Sequence, residues 1–168
     1  KQRWIDALVA AGIQEIEVGS FVSPKLLPQM ADTAQIVRHA LQYPGLTVMA
    51  LVPNARGAQM AIDAGVHKVT LPVSASEAHS MANVRKTRQE MLEEISKIAQ
   101  LRDQQAPHIK IEAGISTAFG CTIQGEVTED DVVWLAQAAI AAGADESGLS
   151  DTTGMANPAQ VKRLFNKV

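Results

Sequence analysis

Glu17 is a side chain that could move a proton from an ordered position at the edge of a sheet. It lies in Ile13–Thr33, IQEIEVGSFVSPKLLPQMADT, where a short apolar run (Ile13, Ile16, Val18) passes through Glu17 and then breaks into a loop with Ser20, Ser23, Pro24 and Pro28. A carboxylate at the end of a strand can take up and return a proton, and a hydroxyl three residues later can hold a substrate oxygen. The same residues also read as a strand–loop–helix connection with a solvated edge acid, because spacing alone is weak evidence for a site. Polar residues recur at the ends of later apolar runs: Asn54, then Ser74 and Ser76, then Ser116 and Thr117, then Ser150 and Asp151. The four histidines, His39, His67, His79 and His108, have no partner two or four residues away, so they read as surface or structural side chains. Cys121, the single cysteine, has no histidine near it in sequence and no disulfide partner in the chain; packing is its better reading.

Positioning those groups is the work of alternating strands and helices. Apolar residues at Trp4, Ile5, Leu8, Val9 and Ala11 predict a helix over Gln2–Ala11, ended by Gly12. A strand over Glu15–Gly19 follows, then a helix over Ala31–Gln42 closed by Tyr43-Pro44-Gly45, then a strand over Leu46–Val52. Asn54 can cap a helix over Ala55–Ala64, which Gly65 stops, and Val66–Val73 is a third strand. Ser74–Asn83 reads as a polar segment leading to a helix near Thr87–Arg102, which puts His79 and Asn83 in a loop. The fourth strand is Ile109–Ile115, followed by a small-residue loop through Gly120, Cys121 and Gly125. Thr128 with Asp131 marks a helix over Glu129–Ala142. A strand over Ala144–Leu149 runs into Ser150-Asp151-Thr152-Thr153-Gly154, and Asn157-Pro158 starts a last helix within which the sequence stops.

Five strands separated by helices imply α/β architecture with a parallel sheet, since parallel neighbours need a crossover connection. A complete barrel typically needs about 250 residues, so length favours a doubly wound open sheet. Against it stand the missing glycine fingerprint after the strands and the polar residues at five successive strand ends, which in a barrel meet at one mouth. The preferred fold is an incomplete (β/α)8 TIM barrel, about strands 2 to 6 with their intervening helices. Residues 1–168 are then the central part of a single catalytic domain, with the first strand and the last two missing. The opening at Lys1, without methionine and inside a helical pattern, agrees with that expectation.

Composition removes other classes. With 15 Lys+Arg against 18 Asp+Glu, the net charge of −3 gives no electrostatic reason for nucleic acid or an anionic membrane as partner. Aromatic residues are 4% of the chain, too few for base-stacking platforms. No apolar run approaches the roughly 20 residues of a membrane span, and no signal peptide is seen. A soluble protein of a reducing compartment is expected.

Several segments together resemble the 3-hydroxy-3-methylglutaryl-CoA lyases, a family of metal-dependent lyase and synthase barrels. They are IEVGSFVSPKLLPQMAD at 16–32, LVPNARG at 51–57, SASEAHSMANV at 74–84, STAFGCTIQGEV at 116–127 and SDTTG at 150–154. The likeness runs through nearly the whole chain in order, and its most specific piece is SFVSPKLLPQMAD. It implies cleavage of a 3-hydroxyacyl-CoA thioester to acetyl-CoA and a keto acid such as acetoacetate, in leucine degradation and ketone-body metabolism. It also implies a divalent cation, Mg²⁺ or Mn²⁺, in the intact enzyme, and a cytoplasmic (bacterial) or mitochondrial-matrix location. In the family the cation is held by a first-strand Asp and a His-x-His pair on the seventh strand, elements that this sequence lacks. No metal ligand is therefore assigned here, and homo-oligomer formation is left open.

Carried over residue by residue, the resemblance makes Glu17 the acid near the substrate hydroxyl and Asp151 the acid of the DT-G motif, both catalytic. It makes Ser20, Asn83 and Thr117 substrate-binding. Turn or cap roles are the plain alternatives for Ser20, Asn83 and Asp151. Two departures concern the acyl pocket. Gly114 stands where the lyases often carry tyrosine, and Gly148 where a serine near the substrate carboxylate is common. A citramalyl-CoA-like substrate is therefore one alternative and a condensing enzyme like isopropylmalate or homocitrate synthase another. An inactive fragment whose uncovered sheet edges invite association is a third.

Overall fold

Seven helices and five strands follow along the chain in the computed structural model, with at least one helix between successive strands, and the structure describes all of residues 1–168. The elements are α1 (Gln2–Ala10), β1 (Glu15–Ser20), a short 3₁₀ turn (Pro28–Met30), α2 (Thr33–Ala40), β2 (Thr47–Leu51), α3 (Ala55–Ala64) and β3 (Lys68–Ser74). After these come α4 (Glu77–Val84), α5 (Arg88–Gln105), β4 (Lys110–Ser116), α6 (Glu129–Ala141), β5 (Glu146–Leu149) and α7 (Pro158–Phe165). Local chemistry sets most of the ends. Asn54 Oδ1 accepts from the Gly57 N–H at 3.0 Å and starts α3, and Gly65 ends it at φ 85°, a left-handed conformation that glycine adopts without a Cβ penalty. Thr128 and Asn157 cap α6 and α7 by accepting from the Asp131 and Gln160 N–H groups, and Pro158 occupies the first turn of α7, where its missing N–H is no loss.

The strands form one sheet in the order β1-β2-β3-β4-β5, with β1/β2, β2/β3 and β4/β5 each parallel. Strands laid down in chain order are what a barrel wall requires; a doubly wound sheet reverses its order at a switch point. The registers also separate two faces. Glu15 pairs with Thr47, Glu17 with Met49 and Met49 with Lys68, so these side chains share one face. Val48, Ala50, Val69 and Leu71 take the opposite face and are almost wholly buried.

Contacts divide the chain into two compact units, Lys1–Leu71 with Gln100–Ile111 and Pro72–Ala99 with Glu112–Val168. In the first, α2 packs on β1 and β2, and Ile36, Val37 and Ala40 are buried together with Val48 and Ala50. In the second, α6 packs on β5, and Met91, Ile95, Ile98, Val132, Leu135 and Ala139 are buried. Each fully buried Val, Leu or Ile contributes about 1.5–3 kcal/mol, so these two cores supply much of the driving force for folding. No helix is long and apolar enough to cross a membrane.

Three sequence expectations need correction. Ser74–Asn83 is not an extended polar segment: Ser76 Oγ accepts from the His79 N–H at 3.1 Å and caps α4, so His79 and Asn83 are helical. The polar composition of that segment hid a helix that a capping serine followed by Glu77 was signalling. The predicted helix over Ala31–Gln42 is shorter, because Pro28–Met30 forms a separate 3₁₀ turn and α2 starts at Thr33. The last helix finishes at Phe165, with Asn166 as its C-cap.

Replacing Asn54 by Ala is expected to lower stability in urea by about 1 kcal/mol, and by Gly only a few tenths, because glycine keeps the extended N-cap backbone open to water. Equal losses for the two would show that the Asn54 side chain is not what holds the start of α3.

Candidate active site

In the first unit a bulge decides what the β1 side chains face. The β1/β2 register runs from Glu17↔Met49 to Ser20↔Leu51, three residues on one strand against two on the other. Residues three apart on a regular strand point to opposite faces; the extra residue brings Ser20 onto the same face as Glu17. Gly19 sits inside the irregularity, where a Cβ would stand 2.8 Å from Thr33 Oγ1. Thr33, 2% exposed, has its hydroxyl 3.0 Å from the Ser20 carbonyl and 2.8 Å from that of Met30, so the first turn of α2 clamps the end of β1. Glu17 is exposed. Ser20 Oγ is buried and has no hydrogen-bond partner, and the same holds for Thr70 Oγ1 on β3. A buried hydroxyl left unpaired costs about 1–3 kcal/mol, so each asks for an explanation.

In the second unit three loops at the carboxyl ends of β3, β4 and β5 are tied together through Thr117. It is fully buried and has φ 56°, a left-handed conformation that a β-branched residue takes up only under constraint, at a cost of about 1–3 kcal/mol. Its N–H donates to Thr152 Oγ1 at 2.8 Å; its hydroxyl donates to the Ser116 carbonyl at 2.6 Å and accepts from the Ser76 N–H at 3.2 Å. Thr153 Oγ1 donates to the Gly120 carbonyl at 3.1 Å. Asp151 is exposed, and its two carboxylate oxygens accept from the Met155 and Ala156 N–H groups at 2.9 and 3.1 Å, which fixes the carboxylate in its turn.

The sequence-derived set therefore divides. Glu17 and Ser20 share a face in the first unit. Thr117 and Asp151 share a stitched loop system in the second, where Thr117 is inside the protein with its hydroxyl engaged by its neighbours. Asn83 is exposed near the end of α4. Thr70 escaped sequence reading, since one threonine in an apolar strand carries no motif; so did Glu112, whose Oε1 lies 2.5 Å from where a Cβ on Gly148 would stand.

Most of the other chemistry-bearing groups have structural partners. His39 pairs with Asp6, the His67 ring accepts from the Val48 N–H, His79 lies against Ser74 Oγ, and His108 is exposed. Cys121 is buried in a turn closed by paired hydrogen bonds with Gly125. Burial pushes its thiol up, but hydrogen bonds with Ser76 and with the Gln124, Ile123 and Gly125 backbone outweigh that and leave it below its ordinary value. No group of three or more His, Cys, Asp or Glu side chains could hold a metal ion, so these residues by themselves do not fit one. A cleft of about 440 Å³ opens beside the Cys121 loop, lined by Phe119, Gly120, Val127, Glu129, Met155 and Arg163 among others.

Arg88 braces this unit. Its guanidinium reaches the Ala75 carbonyl at 3.1 Å, Glu77 at 3.2 Å and Asp131 at 3.0 Å, and lies 5.2 Å from the Trp134 ring centre. The Thr128 hydroxyl first, and Arg88 second, hold the Asp131 carboxyl below its ordinary value of 3.8. A carboxyl depressed in the folded state contributes stability that is complete above its unfolded value and lost as the pH falls through its folded one. Asp131→Asn is therefore expected to flatten the fall in unfolding free energy below about pH 4 while leaving a constant deficit at higher pH. An unchanged acid limb in urea titrations would remove Asp131 from the acid response.

Comparison with known proteins identifies the family and the fold. The HMGL-like family model matches residues 1–168. The chain is 37% identical over its full length to a 3-hydroxy-3-isohexenylglutaryl-CoA/hydroxymethylglutaryl-CoA lyase of Pseudomonas aeruginosa, covering 55% of that protein. To an (R)-citramalyl-CoA lyase of Chloroflexus aurantiacus it is 38% identical, covering 98% of this chain and 54% of the relative. A crystal structure of the hydroxymethylglutaryl-CoA lyase from Pseudomonas aeruginosa superposes with TM-score 0.90 at 37% identity, over 99% of this chain and 55% of the other. One from Acinetobacter baumannii, in complex with coenzyme A and 3-methylmalate, superposes with TM-score 0.86 at 30% identity, over 98% and 54%. The chain thus spans about half the length of the curated relatives it matches.

Proposed function

The chain belongs to the HMGL-like family, and we propose on that premise that it forms the central part of a catalytic TIM barrel cleaving 3-hydroxy-3-methylglutaryl-CoA. The products are acetyl-CoA and acetoacetate. The observation that carries this reading is the β1 bulge, which puts a carboxylate, Glu17, and an unengaged hydroxyl, Ser20, on one face at the end of a strand where barrel enzymes bind substrate.

The reaction breaks the bond between C2 and C3 of the acyl chain. The C3 hydroxyl loses its proton, its oxygen becomes the keto oxygen of acetoacetate, and the bonding pair passes to C2 as a thioester enolate that is then protonated. Glu17 is assigned the hydroxyl proton, since an exposed carboxylate on that face is free of the burial that would block exchange with substrate. Ser20 holds the oxygen from which that proton leaves. Asp151, fixed by two backbone N–H groups, orients polar groups of substrate at the loops after β4 and β5. Asn83 and Thr117 contribute at the acyl group, Thr117 by keeping those loops in place. A divalent cation, Mg²⁺ or Mn²⁺, would stabilise the negative charge that develops on the oxygens; its ligand set is not among these residues.

A second acyl group has one observation in its favour. Glu112 occupies the space over Gly148, so a carboxylate stands where the lyases commonly place a serine hydroxyl, and a substrate with a shorter acid arm, such as citramalyl-CoA, meets less repulsion there.

In the intact protein carrying these residues, acetyl-CoA release from 3-hydroxy-3-methylglutaryl-CoA is expected to exceed that from citramalyl-CoA, to fall on chelation and to return with Mg²⁺ or Mn²⁺. Glu17→Ala is expected to lower kcat by about 10²-fold or more and to change stability by less than about 0.5 kcal/mol. Wild-type turnover by that variant would end the assignment of Glu17, and faster release from citramalyl-CoA would transfer the proposal to the second substrate.

A further inference from the structure

Ser20, Leu51 and Thr70 form one row across β1, β2 and β3, because Ser20 pairs with Leu51 and Leu51 with Thr70. The row lies on the same face as Glu17, Met49 and Lys68, one step nearer the carboxyl ends of the strands. At both ends of the row stands a buried hydroxyl with no hydrogen-bond partner. Thr70 is 9% exposed, and its backbone is already occupied by the ladder, its carbonyl accepting from the Val52 N–H at 2.9 Å. Valine would serve that strand position equally well, so the hydroxyl adds nothing that the fold uses.

We propose that Thr70 is a substrate-contacting residue whose hydroxyl, with that of Ser20 on the other side of Leu51, binds the oxygen-rich acyl part of the substrate. The inference rests on the lyase reading above and names a contact within the same site. Two strand spacings separate the ends of the row, about 10 Å between Cα atoms. A single water cannot reach both hydroxyls, whereas a chain of several carbons with a hydroxyl at one point and a carboxylate at another can. Lys68 on this face is held by Glu15, its ammonium 2.7 Å from that carboxylate, so the two hydroxyls and not a charge define the contact. The ligand class is a hydroxydicarboxylate, free or as the acyl part of a thioester.

The test compares Thr70→Val and Thr70→Ser in the intact protein. It reads three quantities: affinity for 3-methylmalate in the presence of coenzyme A, KM and kcat for the thioester, and the unfolding midpoint without ligand. Thr70→Val is expected to weaken 3-methylmalate and raise KM by about tenfold with kcat little changed, and Thr70→Ser to restore both. Because the hydroxyl has no partner in the free protein, the ligand-free midpoint of Thr70→Val is expected to stay level or rise, opposite in sign to the loss of affinity. Unaltered affinity and KM in Thr70→Val overturn the proposal. So does a lowered ligand-free midpoint, the signature of a hydroxyl bonded to a structural water, and so does a wild-type protein that fails to bind 3-methylmalate. Binding that depends on Thr70 in a protein that cleaves neither thioester would defeat the lyase reading and leave the contact standing.

Discussion

The β1/β2 ladder is the constraint from which the placement of the first unit's polar side chains follows. A regular parallel pair would alternate its side chains strictly, and Glu17 and Ser20 would then belong to opposite faces. One extra residue in β1 removes that conflict, and the structure keeps it in place by packing Thr33 against Gly19 and the Ser20 carbonyl. No side chain larger than hydrogen fits at position 19 unless α2 moves. The bulge, the glycine and the buried threonine are thus one device.

The second unit solves a related problem by different means. Its strand ends and the loops after them contain Ser74, Ser76, Ser116, Thr152 and Thr153, short polar side chains that can bond nearby backbone groups. Thr117 takes up a strained left-handed conformation and in return its N–H and hydroxyl reach Thr152, Ser116 and Ser76. Strain persists only where the surroundings over-determine it, and here three loops do so at once. Arg88 does the equivalent work on the outer side, where one guanidinium meets two carboxylates, a carbonyl and an aromatic ring.

Membership of the HMGL-like family rests on a match along the whole chain. The matched relatives are nearly twice as long as this chain, and no metal-binding cluster occurs within it. What the chain does hold is an exposed acid, two buried hydroxyls without a partner and a set of loops tied together through Thr117.

Much of this was legible in the sequence. Capping residues announce themselves by type and position, so Asn54, Gly65, Thr128 and Asn157-Pro158 mark their helix ends in the sequence itself. Alternation of apolar runs with amphipathic stretches set the α/β class, and the motif from Ser20 to Asp32 pointed to the family. The helix over Glu77–Val84 was hidden by its polar composition although Ser76 marks its start, and the Arg88 N–H that bonds Glu77 reaches it only in the fold. Which face a strand residue occupies was beyond the sequence, for a bulge changes it without changing a letter. The same limit applied to Thr70: a threonine in an apolar strand looks like any β-branched residue until its neighbours are known. Sequence determined where the elements begin and what chemistry their ends could carry, because those depend on the backbone within a few residues. Only the tertiary structure decided which of those groups share a face and which hydroxyls are left without a partner, because both are properties of the neighbouring strands.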